Sequence, residues 1–308
     1  MLIASVPVYS IIHAATHRED NNDMTQYMDM YRGKVVDPAL RYRVMTPYLA
    51  RALPEIPSLM YSSSRQLSEE WVIEARFAVI NFGFLFATAV VLFYYLHSFG
   101  CSPLESILGV FIFLVCPSVT EYAGRPMVDS AAYFFLLLGF FSIRNEATVS
   151  LAFVSLLGVF AKETTLFLPL AVILAPLGHH LKIKMLLAEV PSFVAYLWLR
   201  KILSTQGHQT LLGDSSFSGI MPLTSLIRPN VMIDLFTSFG MLWIPAVLAL
   251  NRADTPLILR RWFWFVPFLI VLIVAQNLNL GRILFLAFPA VIPLVVFGLR
   301  PLLAAPAE

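Results

Sequence analysis

Long apolar runs separated by short polar connections make up most of this chain. Ten runs stand out, at about 2–15, 72–97, 104–120, 128–143, 149–160, 164–178, 184–204, 231–250, 262–277 and 282–299. A helix needs about 20 apolar residues to cross a bilayer, and several of these runs are shorter. The pattern predicts an all-α membrane protein, a single integral bundle of about ten transmembrane helices with short or broken spans. Pro117, Pro169, Pro176, Pro191, Pro245, Pro267, Pro289 and Pro293 lie in or near the runs. They predict kinked helices, which suit a bundle that lines a cavity. The run at 2–15 is thin. It reads as a short first span or the end of a longer helix; as a signal-peptide core it lacks a basic n-region.

Composition strengthens the membrane reading. Hydrophobic residues make up 58% of the 308, charged residues only 13%, and mean hydropathy is +0.77. Soluble domains carry roughly 25% charged residues. Cys101 and Cys116 have no metal-ligand spacing, so neither a disulfide framework nor a zinc site is expected. Short basic connections orient a membrane chain toward the cytoplasm. "HHLKIK" at 179–184 and "NRADTPLILRR" at 251–261 are of that kind, and "IRNEAT" at 143–148 and Arg300 fall on the same side. The first outer loop (16–71), "EYAGRPMVD" (121–129), "AKET" (161–164), a second outer loop (205–230) and "NLNLGR" (277–282) then face outward. Fourteen of the 21 basic residues fall on that outer side, against the usual bias. Arginines gathered at membrane level suit a phosphate, because the guanidinium fork is bidentate and stays charged.

The stretch "LGVFAKETTLFLPLA" (157–171) places Lys162 and Glu163 at the tip of a short helical hairpin, 149–178. Twelve helical residues reach only about 18 Å, so the tip should lie beneath the outer surface. Charge at that depth must face protein or a wet cavity. The simpler alternative has the two residues pairing with each other and snorkelling to the interface.

The densest chemistry lies in "REDNNDMTQYMDMYRGKVVDPALRYRVMTPYLARAL" (18–53). Thr25 to Arg32 suits a short helix, broken by Gly33 and Pro38. Residues 41–56 alternate basic and apolar positions and read as an amphipathic helix lying in the outer interface. A carboxylate here is placed to deprotonate an acceptor hydroxyl for attack on a sugar's anomeric carbon. Asp23, four residues before Tyr27 and on its helix face, is the first candidate base; Asp20 is second and Asp37 third. Each has a plain alternative as a solvated loop acid.

The chain resembles the GT-C superfamily of bacterial membrane glycosyltransferases, which take a sugar from a polyprenyl-phosphate donor at the outer face. The likeness rests on Asp23 and Tyr27 in "DMTQY", on "YRVMTP" from Tyr42 to Pro47, on "GRPMVD", on "AKETTLFLP" and on "GRILFLAFPAVIPL". It implies a hexosyl- or pentosyltransferase in the inner membrane, with its active site on the periplasmic side. Asp23 would be the base in an inverting attack. Arg43, Arg125, Lys162 and Arg282 would hold the donor phosphate, with Arg41 and Tyr27 beside them. Glu121, Asp129 and Glu163 would orient those cations or bind sugar hydroxyls. Expected partners are the lipid-linked sugar, a glycan, lipid or protein acceptor, and membrane lipids, with no nucleic acid. No metal ligand is assigned, although the outer acids leave room for a divalent ion. Two other readings stay open: a non-catalytic membrane subunit or scaffold, and a transporter or flippase of an anionic lipid. The latter is disfavoured by spans 72–97, 231–250 and 262–277, whose middles are almost wholly apolar apart from Asn81 and Thr88. No phosphate-binding loop, zinc motif or nucleophile elbow is present.

Overall fold

The computed structural model describes residues 22–34, 36, 40–54, 68–204, 238–276 and 283–303. Every regular element among them is helical. In chain order they are α1 (Asn22–Tyr31), α2 (Met45–Ala52), α3 (Glu69–His97), α4 (Pro103–Val115), α5 (Pro117–Tyr122), α6 (Asp129–Arg144), α7 (Thr148–Ala161), α8 (Leu168–Leu174), α9 (His179–Ser204), α10 (Trp243–Leu250), α11 (Leu257–Trp262), α12 (Phe265–Gln276) and α13 (Phe288–Leu303). Short 3-10 turns at Glu163–Phe167, Gly240–Leu242 and Phe285–Ala287 lead into α8, α10 and α13. The run at 2–15 lies outside the described residues.

Among the described residues two stretches are long and apolar enough to cross a membrane, Glu69–His97 and Phe285–Leu303. Pro103–Val115, Thr148–Ala161, Glu163–Leu174 and Gly240–Leu250 are apolar but shorter. Proline accounts for several of the breaks. The run at 104–120 divides at Cys116, where an extended residue precedes Pro117 and α5 starts afresh. The run at 262–277 divides between α11 and α12 at residues 263–264. His179 and His180 open α9; they do not close a helix, as a basic pair at a helix end suggests.

Helix ends are specified locally. Ser102 and Glu105 form a capping box: the Ser102 hydroxyl accepts from the Glu105 amide at 3.2 Å, and the Glu105 carboxylate from the Ser102 amide at 2.7 Å. α1 ends as the sequence predicts. Gly33 takes φ +77°, Lys34 N donates to Asp29 O at 2.9 Å, and Gly33 N to Met30 O at 3.0 Å. The amphipathic segment is shorter than the 41–56 expected, with α2 covering Met45–Ala52.

The largest core packs α3, α4, α6, α8, α11 and α13 around aromatic rings. Phe113 meets Phe288 at 5.0 Å and Phe140 meets Trp262 at 4.9 Å. Their polar handles are used: Tyr95 Oη donates to Pro289 O at 2.9 Å and Trp262 Nε1 to Ala171 O at 2.8 Å.

Polar groups collect at two ends of this core. At one, Arg300 Nε bonds Glu105 Oε1 at 2.7 Å and reaches Asp254 at 3.5 Å, while Arg144 donates to Ser98 O at 2.9 Å. Arg144, Arg300 and the loop 251–261 are the segments whose basic residues place them together in the sequence. The other end carries α1, α2, the loop before α6 and the tip between α7 and α8.

Small residues let α10 and α13 touch. A Cβ on Gly298 would sit 2.1 Å from Pro245 O, a backbone atom that cannot swing aside. Gly298→Ala is expected to destabilise the protein by about 1–3 kcal/mol, read as a lowered unfolding midpoint in detergent micelles.

Candidate functional site

The tip between α7 and α8 is built by a break in hydrogen bonding. α7 ends at Ala161, Lys162 turns to extended backbone (φ −167°, ψ 148°), and a 3-10 turn from Glu163 restarts the helix. Lys162 and Glu163 do not pair with each other; the change from extended backbone to 3-10 turn between them lets each bond a distant partner.

Lys162 Nζ bonds Asp129 Oδ1 at 2.7 Å, with the two side chains 4% and 1% exposed. Asp129 is the first residue of α6, where the helix dipole favours a carboxylate. Glu163 is gripped by both arms of Arg43: Arg43 Nε donates to Glu163 Oε2 at 3.0 Å, and Nη2 bonds Oε1. The remaining arm, Nη1, donates to Tyr27 Oη at 2.9 Å, and Tyr27 is wholly buried. Four parts of the chain thus meet: α1, the segment before α2, the start of α6 and the tip after α7.

The electrostatics follow from burial and pairing. Burial alone would raise the Glu163 carboxyl, but the charges of Arg43 and Lys162 outweigh it and hold the group below its ordinary value. Burial would lower the Arg43 guanidinium; Glu163, Tyr27 and Tyr42 together raise it well above its ordinary value. Tyr42 lies under this cation, 5.7 Å from ring centre to guanidinium, and meets Tyr196 of α9 edge-on at 5.4 Å. Arg200 covers both rings, at 5.9 and 5.5 Å.

Arg125 precedes α6, and Asn81 of α3 fixes its backbone, donating to Arg125 O at 2.9 Å. Its side chain is 5% exposed, and among the described residues its guanidinium meets no carboxylate. Arg41 Nε donates to Val36 O. Asp23 is half-buried in the first turn of α1, one turn before Tyr27. Asp20, Asp37 and Arg282 lie outside the described residues. Glu121 lies on α5, and its side chain is outside what the structure describes.

The sequence therefore pointed to Tyr27, Arg43, Asp129, Lys162 and Glu163, and the fold joins them. It did not point to Asn81 as a tie to the Arg125 segment, to the Tyr42–Tyr196–Arg200 stack, or to Glu189. Glu189 is 1% exposed, and neither of its carboxylate oxygens has a partner among the described residues. A lone acid within the apolar run 184–204 was the available signal.

Comparison with protein-family models, with curated proteins and with solved structures finds no match.

The pairs set two expectations. Asp129→Asn strands a buried ammonium and should cost about 3–5 kcal/mol. The double change Asp129→Leu/Lys162→Met should recover most of that loss, and unfolding of both variants in micelles measures it. The Glu163 contribution, resting on a lowered carboxyl, is fully present above the ordinary carboxylate range. It should fade as pH falls through the depressed value, and Glu163→Gln should flatten that acid limb of the stability–pH curve.

Proposed function

We propose that this protein is a polytopic membrane glycosyltransferase of the GT-C kind, working from a polyprenyl-phosphate sugar at the periplasmic face of a bacterial inner membrane. Its bundle has about ten spans, the shorter apolar helices reaching only part-way and leaving the site recessed. One observation carries the reading. Arg43 ties the Lys162–Glu163 tip to Tyr27, and Tyr27 stands one turn from Asp23 on α1. The candidate base therefore lies one helical turn from a residue bonded to Arg43, which in turn holds a glutamate 120 residues further along the chain.

In this mechanism the Asp23 carboxylate takes the proton of the acceptor hydroxyl. The acceptor oxygen attacks the anomeric carbon from the face opposite the phosphate. As that bond forms, the bond from the anomeric carbon to the phosphate oxygen breaks, and the polyprenyl phosphate departs with the electron pair. The sugar's configuration inverts. A phosphate leaves without a strong acid, so a single carboxylate suffices. Arg125 contributes a buried positive charge to the departing phosphate, joined by Arg282. Asp129 and Glu163 hold Lys162 and Arg43 in place, as positioning residues.

A specific observation favours a second reading, that of a non-catalytic membrane subunit. Lys162 and Arg43 already have carboxylate partners, as expected of ion pairs that only fasten helices together. Sugar transfer separates the two. Purified protein given polyprenyl-phosphate sugars and a lipid or glycan acceptor should transfer sugar, and Asp23→Asn should lower the rate by a factor of about 10²–10⁴. Equal rates for variant and wild type would remove Asp23 from the mechanism, and no transfer at all would favour the subunit.

A further inference from the structure

A second, separate basic feature lies beside α1. Tyr31, Arg32, Lys34, Arg51, Glu69 and Arg76 line a wide-mouthed cleft of about 750 Å³ between α1, α2 and the first turns of α3. None of Arg43, Asp129, Lys162 and Glu163 lines it. We propose that this cleft is a binding site for a phosphate group carrying at least two negative charges, either the phosphomonoester headgroup of a lipid or a free pyrophosphate.

Charge is the first argument. Four cations line the cleft with one carboxylate, Glu69, and Asp29 behind it adds a second. Arg32 uses both acids, at 3.0 Å to Glu69 and 3.5 Å to Asp29, and Lys34 shares Asp29 at 2.9 Å. Among the described residues, four positive charges stand against two negative, and neither Arg51 nor Arg76 has a carboxylate. Arg51 is exposed and meets no carboxylate among the described residues. A dianion matches that excess, whereas a carboxylate would neutralise only half of it.

Preorganisation is the second argument. Arg76 is not a loose surface cation. Its Nη1 donates to Tyr31 Oη at 2.7 Å, its guanidinium lies over the Tyr31 ring at 5.9 Å, and its Nε is buried without a partner. A guanidinium fixed on a ring loses less freedom when it takes up a ligand. The left-handed turn at Gly33 reverses the chain and returns Lys34 to Asp29, and a Cβ on Gly33 would lie 3.5 Å from Arg51 Nη1. Glycine suits this turn because its φ of +77° is one that L side chains rarely adopt. The start of α3, whose amides follow Ser68, adds the positive end of a long helix.

The test uses the full chain in two arms. In neutral detergent micelles inorganic pyrophosphate is titrated calorimetrically; in nanodiscs of phosphatidylcholine with added phosphatidic acid, a phosphomonoester, the lipids retained by the protein are counted by native mass spectrometry. Arg51 is exposed, so Arg51→Gln should fold as the wild type does. It should weaken pyrophosphate roughly tenfold, the loss of one charge-assisted contact, and Arg51→Glu should abolish binding. Such a loss in micelles assigns a free pyrophosphate. Selective retention of phosphatidic acid by wild type, lost in both variants and unaccompanied by pyrophosphate binding, assigns a lipid headgroup. Wild type and both variants behaving alike in both arms would overturn the site. Asp23→Asn should leave the binding intact, so failure of sugar transfer and failure of this site are told apart.

Discussion

Charge in an apolar bundle must be matched, and the Lys162–Asp129 pair is where that constraint shapes the protein. Both side chains are almost completely buried. An isolated ion so placed costs several kcal/mol, and only good geometry with a partner offsets this. The pair therefore joins the end of α7 to the start of α6 in one arrangement. Glu163, the next residue, is then aimed away from Asp129 and toward Arg43. A single break in helical hydrogen bonding at Lys162 thus serves two ion pairs and brings α1 and the segment before α2 against the bundle.

The opposite end follows the same economy with more water. Arg300 lies over the Phe297 ring at 3.9 Å while bonding Glu105, the residue that also caps α4. One carboxylate thereby fixes a helix start and anchors the last helix. Between the two ends the core is nearly all aromatic and aliphatic. Among its polar groups, Tyr95 and Trp262 donate to backbone carbonyls. Hydroxyls and indoles in an apolar medium need such partners, and here they also tie distant helices together.

For the proposed chemistry, this pairing matters as much as the positive charge itself. Lys162 and Arg43 are held by carboxylates, so an anion arriving near them meets a preset network rather than bare cations. Arg125 is buried and meets no carboxylate among the described residues, and Asn81 holds its backbone in place. The basic cleft beside α1 stands outside this network, with its own cations held by Tyr31, Glu69 and Asp29. The two places sit one helical turn apart on α1, at Tyr27 and Tyr31, yet differ in exposure and in how their charges are balanced.

The sequence by itself determined the all-helical class, the short helix before Gly33, the hairpin tip at Lys162 and Glu163, and the segments that share each polar end. These depend on local signals: apolar run length, glycine and proline placement, and charge interrupting an apolar stretch. It also marked the residues worth attention at the tip. Only the tertiary structure decided their partners. Lys162 could have bonded Glu163 beside it, but the packing of α6 and of the segment before α2 against the tip gives Lys162 to Asp129 and Glu163 to Arg43. The same holds for the Tyr42–Tyr196–Arg200 stack and for the Asn81 tie to Arg125. Each arises from contacts between residues far apart in the chain, and pairing across such distances is set by how helices pack rather than by any local pattern.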